Sequence, residues 1–383
     1  MPGGRTAACL LATVSAAGCS NGGTGLGALC STPLSEFFDG GFERSSIPAL
    51  DNPRFSPLFA PDIIYAGGFE HVIGIRFNGQ WLAIPHKLLW HHEVVNLEVP
   101  GEHLTVTYSP LTGSSLVFDR LPAAVGAFDV SQYVLETNLV LEDASGTLWP
   151  QMASVAGCGP MDGVELTRVP HQEMTLGAWV TIHDDTRVAS SATGFDFLYN
   201  LYPYGNYDQP SNTSLRFPLS GAVDTRLPPK GPVLGVQMGD ESMAFSIADL
   251  DALRGQVNVA VSVANAVVGG EPIAVFYNAV AQGALAYRAQ ANGQRLTFSV
   301  SDGMRVDDQT GTVWDFQGEA FEGPLTGERL EPITDAYVAF WFAWAAFHPD
   351  AAVWTTSTPF SIAPWTEPLG LPEGPIDWEL SRR

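Results

Sequence analysis

Gly146-Thr147-Leu148-Trp149 recurs as Gly311-Thr312-Val313-Trp314, and other matches follow at nearly the same spacing along the chain. Gly159-Pro160 is repeated as Gly323-Pro324, 164 residues later. His183 is repeated 165 residues later, in a similar His-x-Asp context. An ordered series of Gly, Trp, Pro and His residues at one long period indicates a duplicated unit. The sequence therefore predicts two tandem homologous units.

The duplication sets the expected domain boundaries. We expect residues 53–190 to form the first repeat unit and residues 226–355 to form the second. Residues 191–225 lie between them and carry Phe or Tyr at five positions from 195 to 204, which is too aromatic for a solvated linker. We therefore expect an ordered aromatic crossover there. Residues 356–383 form a C-terminal tail that contains Pro and Trp.

Within each unit the local pattern is mostly that of short strands. Asn78-Gly79 separates two apolar runs, and this dipeptide favours a two-residue hairpin turn. Helix-like patterns are few: residues 85–95 and 174–182 in the first unit, and residues 246–253 and 338–347 in the second. We expect an α+β fold that is predominantly β, built from two tandem homologous β-rich units, each with two short helices.

The composition excludes one large class of partner. The chain has 383 residues, with 41 Asp and Glu against 18 Lys and Arg, and a formal net charge of −23. Binding of nucleic acid needs clustered basic residues that neutralise phosphates. We therefore expect no nucleic-acid partner for this acidic protein. An apolar content of 45% supplies ample material for a core.

The N-terminal residues predict export. Residues 1–18 combine Arg5 with a short apolar stretch, as a signal peptide does. Ala16-Ala17-Gly18-Cys19 resembles the lipobox of bacterial lipoproteins, in which the Cys is acylated. A plain secretory signal without a lipid anchor is the alternative. We expect an exported, membrane-anchored lipoprotein of the cell envelope, on the periplasmic or outer-surface side, whose membrane contact is a lipid on Cys19.

Residues 19–52 are expected to form a Gly- and Ser-rich tether and lead-in to the first unit. After removal of the signal peptide and acylation of Cys19, Cys30 and Cys158 are the remaining thiols. In an exported protein they could form one disulfide, and two isolated thiols are the alternative.

Several motifs together carry a family resemblance. They are Val95-Asn96, Thr107-Tyr108-Ser109-Pro110-Leu111-Thr112-Gly113, Phe118-Asp119-Arg120, Asn138-Leu139-Val140, Arg226-Leu227-Pro228-Pro229-Lys230, and the run from Phe342 to Asp350. In order and spacing they resemble the bacterial and archaeal family called domain of unknown function 3179. The resemblance implies an exported or lipid-anchored protein with no established activity.

This chain departs from the family at one informative place. Members of the family commonly have Cys-Pro-Leu-Cys-Gly where this chain has Ser109-Pro110-Leu111-Thr112-Gly113. A Cys-x-x-Cys pair could bind a soft metal or cycle as a dithiol, and the hydroxyls of Ser109 and Thr112 do neither well. If the family function rests on that pair, this member has lost or altered it.

The two copies differ most in their reactive groups, and this difference indicates where a site could lie. The first copy has His91-His92-Glu93 where the second has Leu250-Asp251-Ala252-Leu253. Our candidate site is a polar pocket in the first unit that consists of His92, Glu93, Tyr108, Ser109, Thr112, Asn138 and Gln151. A helix-end His that caps the last carbonyls is the structural alternative for His92.

Two functions are compatible with these residues. The first is a non-catalytic binding or scaffold lipoprotein with an unknown small-molecule or protein ligand, which the missing Cys pair favours. The alternative is a metal-dependent or redox enzyme that acts through the first repeat, in a degenerate form if the Cys pair was essential. We predict no cofactor for the first function, whereas the alternative would place a metal at the first-repeat site.

Overall fold

The computed structural model describes residues 30–42, 46–255 and 259–358. The predicted signal peptide, the Cys19 anchor and the tail with Trp365 and Trp378 lie outside these described residues. Within them, no helix has both the length and the apolar character that a membrane span requires. The fold is α+β and predominantly β, as expected.

The first half of the described chain consists of strands with two short helices. Its elements are β1 (Phe38–Asp39), β2 (Leu50–Asp51), β3 (Phe55–Pro57), β4 (His71–Phe77), β5 (Gln80–Pro85), α1 (His86–His92), β6 (Val94–Val99), β7 (Glu102–Ser109), β8 (Ser114–Asp119), β9 (Asp129–Leu135), β10 (Asn138–Glu142), β11 (Leu148–Pro150), β12 (Thr167–Arg168), β13 (Gln172–Thr175), α2 (Leu176–Ile182) and β14 (Arg187–Ala189).

The second half has a similar composition. Its elements are β15 (Pro232–Met238), β16 (Glu241–Ser246), α3 (Ile247–Gly255), β17 (Val261–Val268), β18 (Glu271–Asn278), β19 (Gly283–Arg288), β20 (Gln290–Ala291), β21 (Gln294–Arg295), β22 (Phe298–Ser301), β23 (Met304–Asp307), β24 (Val313–Trp314), β25 (Ala320–Glu322), β26 (Ala336–Phe340), α4 (Trp341–Phe347) and β27 (Ala352–Val353).

The sheets of the two halves follow the same order. One sheet of the first half runs β13-β4-β5-β14-β3, and its counterpart runs β26-β15-β16-β27. Strand β14 is parallel to β5, and β27 is parallel to β16. Strands β4 and β15 are each antiparallel to both of their neighbours. The run β6-β7-β8 is ordered like β17-β18-β19, and β9-β10-β11 is ordered like β22-β23-β24. The fourth strand differs, because β1 pairs with β9 at one edge and β25 pairs with β24 at the other.

Matching side chains perform matching packing roles in the two halves. A Cβ atom on Gly74 would lie 2.4 Å from the Trp179 ring, and one on Gly235 would lie 2.2 Å from the Trp344 ring. Each glycine therefore lets a helix indole lie directly on a strand. A second indole, that of Trp149, donates a hydrogen bond of 3.0 Å to Asp143, and Trp314 does the same to Asp307.

The two halves contact each other reciprocally. The Thr175 amide at the end of β13 donates to the Ala281 carbonyl at 2.8 Å. The Phe340 amide at the end of β26 donates to the Thr112 carbonyl at 2.7 Å. The cores are shared as well, because Trp179 belongs to one hydrophobic cluster with residues of β18, β19 and β24. Trp149 belongs to another with residues of α4 and β15.

The hairpin predicted at Asn78-Gly79 is confirmed, and the helix bounds need correction. Helix α1 ends at His92, where we expected it to continue to residue 95, because Glu93 adopts a φ of 57° and closes the helix. Val94 then enters strand β6. Helix α4 begins at Trp341, because residues 338–340 pair with β15 as part of β26.

A covalent link ties the described N-terminal segment to the first half. Cys30 and Cys158 are joined by a disulfide across a sequence separation of 128 residues. The segment is also held by the Ser31 backbone amide, which donates to the Asp162 carboxylate at 2.9 Å. The chain therefore enters the folded body beside strands β9 to β11, where β1 adds to the sheet edge through its pairing with β9.

Candidate functional site

The end of helix α1 places a carboxyl group next to a cavity. The Glu93 amide donates to the Leu89 carbonyl at 2.9 Å, so Glu93 closes the last helical turn. Its φ of 57° lies in the left-handed region, where residues with a side chain are uncommon and strained. Strained backbone of this kind persists only where the surrounding structure enforces it, and it concentrates at functional sites. This position is therefore the first candidate.

The cavity beside Glu93 is small and mostly apolar. Its volume is about 140 Å³. Besides Glu93, four lining residues have polar side chains, namely Ser109, Tyr133, Tyr204 and Arg216. The remaining lining residues are Gly40, Phe42, Ile47, Leu111, Val130, Val134, Leu139 and Phe217. A concave apolar site with a few placed polar groups is the usual form of a small-molecule pocket.

The Glu93 carboxyl is buried, and the Tyr204 hydroxyl donates to its Oε1 at 3.0 Å. Burial disfavours the ionised form and raises the pKa of Glu93 to about 8, although the bond from Tyr204 acts in the opposite direction. At neutral pH the group is therefore mainly a neutral carboxylic acid. In that state it can donate a hydrogen bond into the cavity as well as accept one.

His92 lies on the other side of the helix end. Its Nδ1 is 2.7 Å from the Pro48 carbonyl oxygen, and its Nε2 is 2.7 Å from the Tyr199 hydroxyl. Burial lowers the pKa of His92 to about 4, so the imidazole is neutral at neutral pH. Nδ1–H then donates to Pro48 and Nε2 accepts from Tyr199. His92 thus contacts a distant carbonyl, not those of its own helix.

Thr112, Asn138 and Gln151 form a buried network with Thr107 and Ser114. Asn138 Nδ2 donates to Thr112 Oγ1 at 2.9 Å and to Gln151 Oε1 at 2.8 Å. Gln151 Nε2 donates to Thr107 Oγ1 at 2.8 Å, and Ser114 Oγ donates to Gln151 Oε1 at 2.7 Å. All five side chains are almost completely buried. The network joins the ends of β7, β8, β10 and β11, and so it holds the turn at residues 109–113 in place.

The crossover covers this turn. The Tyr202 hydroxyl donates to the Pro110 carbonyl at 3.3 Å, and the Tyr207 hydroxyl donates to the Leu111 carbonyl at 3.0 Å. Lys230 is buried, and its ammonium donates to the Tyr207 carbonyl at 2.5 Å. The crossover therefore closes one side of the cavity and is itself held by the second half.

The seven residues of the sequence-based site thus occupy four places. Glu93 and Ser109 line the cavity, with Tyr204 from the crossover as a polar group that the sequence did not identify. Thr112, Asn138 and Gln151 lie in the neighbouring network. His92 faces Tyr199, and Tyr108 packs against His86 with ring centroids 4.3 Å apart.

A second cluster of titratable groups was missed from the sequence. Ser115 Oγ lies 2.5 Å from Glu173 Oε2 and 3.1 Å from His171 Nε2. His86 Nε2 lies 3.7 Å from the other oxygen of Glu173, which is too long for a hydrogen bond. Burial lowers the pKa of His171 to about 4 and raises the pKa of Glu173. The sequence offered one signal for this cluster. His171 and Glu173 are two residues apart at the start of a strand, where residues at this spacing point to the same face.

Neither the cavity beside Glu93 nor the cluster around Glu173 holds a set of metal ligands among the described residues. Across residues 30–42, 46–255 and 259–358, no group of three or more His, Cys, Asp or Glu side chains has an arrangement that could hold a metal ion. At the turn where the resemblance implies a Cys pair, Ser109 lies on the cavity wall and Thr112 lies inside the network.

Comparison with known proteins identifies one family. No curated protein and no solved structure matches the chain. The model of a family described as a protein of unknown function, DUF3179, matches residues 44–351, which is most of the chain. The matched span includes Glu93, the turn at residues 109–113, the crossover and Lys230. The chain therefore belongs to the DUF3179 family.

Proposed function

We propose that this protein is a non-catalytic binding protein of the cell envelope, held at a membrane through Cys19. Its ligand site is the cavity under the crossover. The observation that carries the proposal is a buried carboxyl group at a strained backbone position, in the wall of a mostly apolar cavity. A strongly shifted pKa in a cavity is a recognised sign of a functional group, and here the pKa of Glu93 rises to about 8.

We also infer that the two halves arose by duplication of one β-rich module. The same sheet order and the same parallel pair in both halves support this inference. So do the paired glycine–indole contacts of Gly74 with Trp179 and Gly235 with Trp344. In the second half Arg254 stands at the helix position that corresponds to Glu93, so the carboxyl site belongs to the first half alone.

The cavity's dimensions and lining define a ligand class. A volume of about 140 Å³ is close to the ~150 Å³ of an apolar cavity that takes up benzene. Hydrogen-bonding side chains interrupt the mostly apolar wall at Glu93, Ser109, Tyr133, Tyr204 and Arg216. The ligand is therefore a small molecule with an apolar body and one polar end, and the neutral Glu93 carboxyl pairs with that end.

Phenol and toluene test this site, because they share a ring and differ by one hydroxyl group. Chemical shifts of the cavity residues in NMR spectra report binding of each probe. We expect phenol to bind roughly tenfold more tightly than toluene to the wild type, which is the effect of about one hydrogen bond. Glu93→Leu should remove that preference, whereas Glu36→Gln, at an exposed carboxylate, should preserve it.

Either of two results would end the proposal for the cavity. One is that neither probe shifts the resonances of cavity residues. The other is that Glu93→Leu binds phenol as tightly as the wild type.

The anchor is tested separately by labelling cells with a fatty-acid probe, with and without Cys19→Ala. We expect labelling of the wild type and none of the variant, and unlabelled wild type would refute acylation.

A further inference from the structure

Six apolar side chains project into solvent from three segments, namely the loop at residues 58–70, the crossover and the turn at residues 279–282. They are Phe59, Ile64, Phe69, Leu198, Leu201 and Val280, which we call the apolar face. Each is between 60% and 95% exposed, and no other large hydrophobic side chain of the described residues exceeds 44%. Scattered single exposures are normal, but a concentration of all the largest ones is the mark of an interaction surface.

The segments that carry these side chains lie side by side. Lys87 connects the loop at residues 58–70 with the crossover, because its ammonium is 2.6 Å from the Glu70 carboxylate and 3.5 Å from the Asn200 side-chain oxygen. The turn at residues 279–282 is joined to the same loop through the start of helix α2. There the Leu176 amide donates to the Glu70 carbonyl, and the adjacent Thr175 amide donates to the Ala281 carbonyl. The loop at residues 58–70, the crossover and the turn at residues 279–282 therefore form one continuous surface.

The shape of the apolar face favours a fluid apolar medium over a rigid partner. None of the six residues lies in a helix or a strand, and several lie at the tips of turns. Phe59 and Phe69, the most exposed, project almost their whole rings. Separate projecting side chains can enter a lipid interface without any complementary surface, and Phe and Leu are common on the apolar side of interfacial segments.

Ion pairs hold the basic groups near the apolar face, and the exposed Asp196 carboxylate on the crossover adds a negative charge. Lys87 is paired with Glu70, and the Arg54 guanidinium lies 3.6 Å from the Asp62 carboxylate. The chain as a whole has a net charge of −23. An anionic surface would repel such a protein, whereas a neutral lipid surface would not.

We propose that the apolar face rests on the lipid bilayer and orients the protein on the membrane. The proposal extends the lipid anchor of the proposed function. From Cys19 to Cys30 the chain can span at most about 40 Å, less than the roughly 54 Å diameter expected for a compact chain of this length. A lipid on Cys19 would therefore keep the body near the bilayer, and transfer of the apolar face out of water would favour contact through that face.

Flotation with vesicles of phosphatidylcholine tests the apolar face without the anchor. The protein is the processed chain, residues 19–383, with Cys19→Ser so that no lipid is attached. We expect this chain to float with the vesicles and Phe59→Ser/Phe69→Ser to lower its partition coefficient at least ~10-fold. The control is Leu34→Ser/Leu121→Ser, which removes two partly exposed apolar side chains elsewhere and should leave flotation unchanged. Both Phe side chains are exposed, so the fold should tolerate their loss.

Three outcomes would overturn the proposal. One is equal flotation of the parent and the Phe59/Phe69 variant. Another is tighter binding to vesicles that contain phosphatidylglycerol, because attraction to charge would then dominate. The third is a parent chain that does not float and that sedimentation shows to be a dimer, separated into monomers by the Phe substitutions, which would make the face an interface between copies. Loss of acylation at Cys19 in cells would affect none of these measurements.

Discussion

Replacement of Glu93 by Gln should remove a large pH dependence of stability. The pKa of Glu93 is about 8 in the folded protein, against a reference value of 4.5. Between those values the unfolded chain releases the proton while the folded chain retains it. The free energy of unfolding therefore falls as the pH rises, by about 1.4 kcal/mol per pH unit. Over the whole interval the loss amounts to about 5 kcal/mol.

The sign follows from burial of the acid. Below about pH 4.5 both states hold the proton, and this group causes no loss of stability. Above about pH 8 both states are ionised, and the full cost of burying the charge persists. A glutamine side chain at this position would keep the size of the group and an oxygen for the Tyr204 hydroxyl, but it does not titrate. The variant should therefore become more stable than the wild type as the pH rises.

Urea unfolding, followed by tryptophan fluorescence from pH 5 to pH 8, measures this difference. The stability of Glu93→Gln relative to the wild type should increase steadily over that range, and Glu36→Gln should follow the wild type because its carboxylate is exposed. A difference between Glu93→Gln and the wild type that stays constant with pH would refute the reasoning, since Glu93 would then ionise normally in the folded state.

Other substitutions test the packing. Asp143→Ala should cost about 2–4 kcal/mol in urea unfolding, because the buried Trp149 indole N–H and two backbone amides lose their acceptor. Gly74→Ala should lower the melting temperature through a clash with the Trp179 ring, at about 1–3 kcal/mol, whereas Gly67→Ala, with open space around it, should change little. Cys158→Ser should cost roughly 2–5 kcal/mol by opening the 128-residue loop, and a melt unchanged from that of the wild type would contradict it.

Secondary-structure elements that depend only on neighbouring residues were predictable from the sequence. Asn78-Gly79 marked its hairpin because a two-residue turn of this kind depends on backbone angles that those residues adopt readily. The end of helix α1 was not predictable to the residue. Val94 could continue an apolar helical pattern, and it belongs to a strand only because β7 is available to pair with it.

The candidate site was predicted in part. The motif around Glu93 and the turn that contains Ser109 do meet at one cavity. Tyr204 was not assigned to the site, because its place there depends on the path of the crossover over the turn. Asn138 and Gln151 point into a buried network instead, which forms only where β7, β8, β10 and β11 come together.

Composition and turn residues were enough to identify an acidic chain and to predict a β-rich fold, because those signals arise from neighbouring residues. The repeated Gly-Thr-x-Trp motif predicts two related halves through direct comparison of the chain with itself. The contacts of Thr175 with Ala281 and of Phe340 with Thr112 join residues more than 100 positions apart. Ser115 and Glu173 likewise meet across separate strands. Such contacts depend on how the sheets pack in three dimensions, and no local pattern in the chain encodes them.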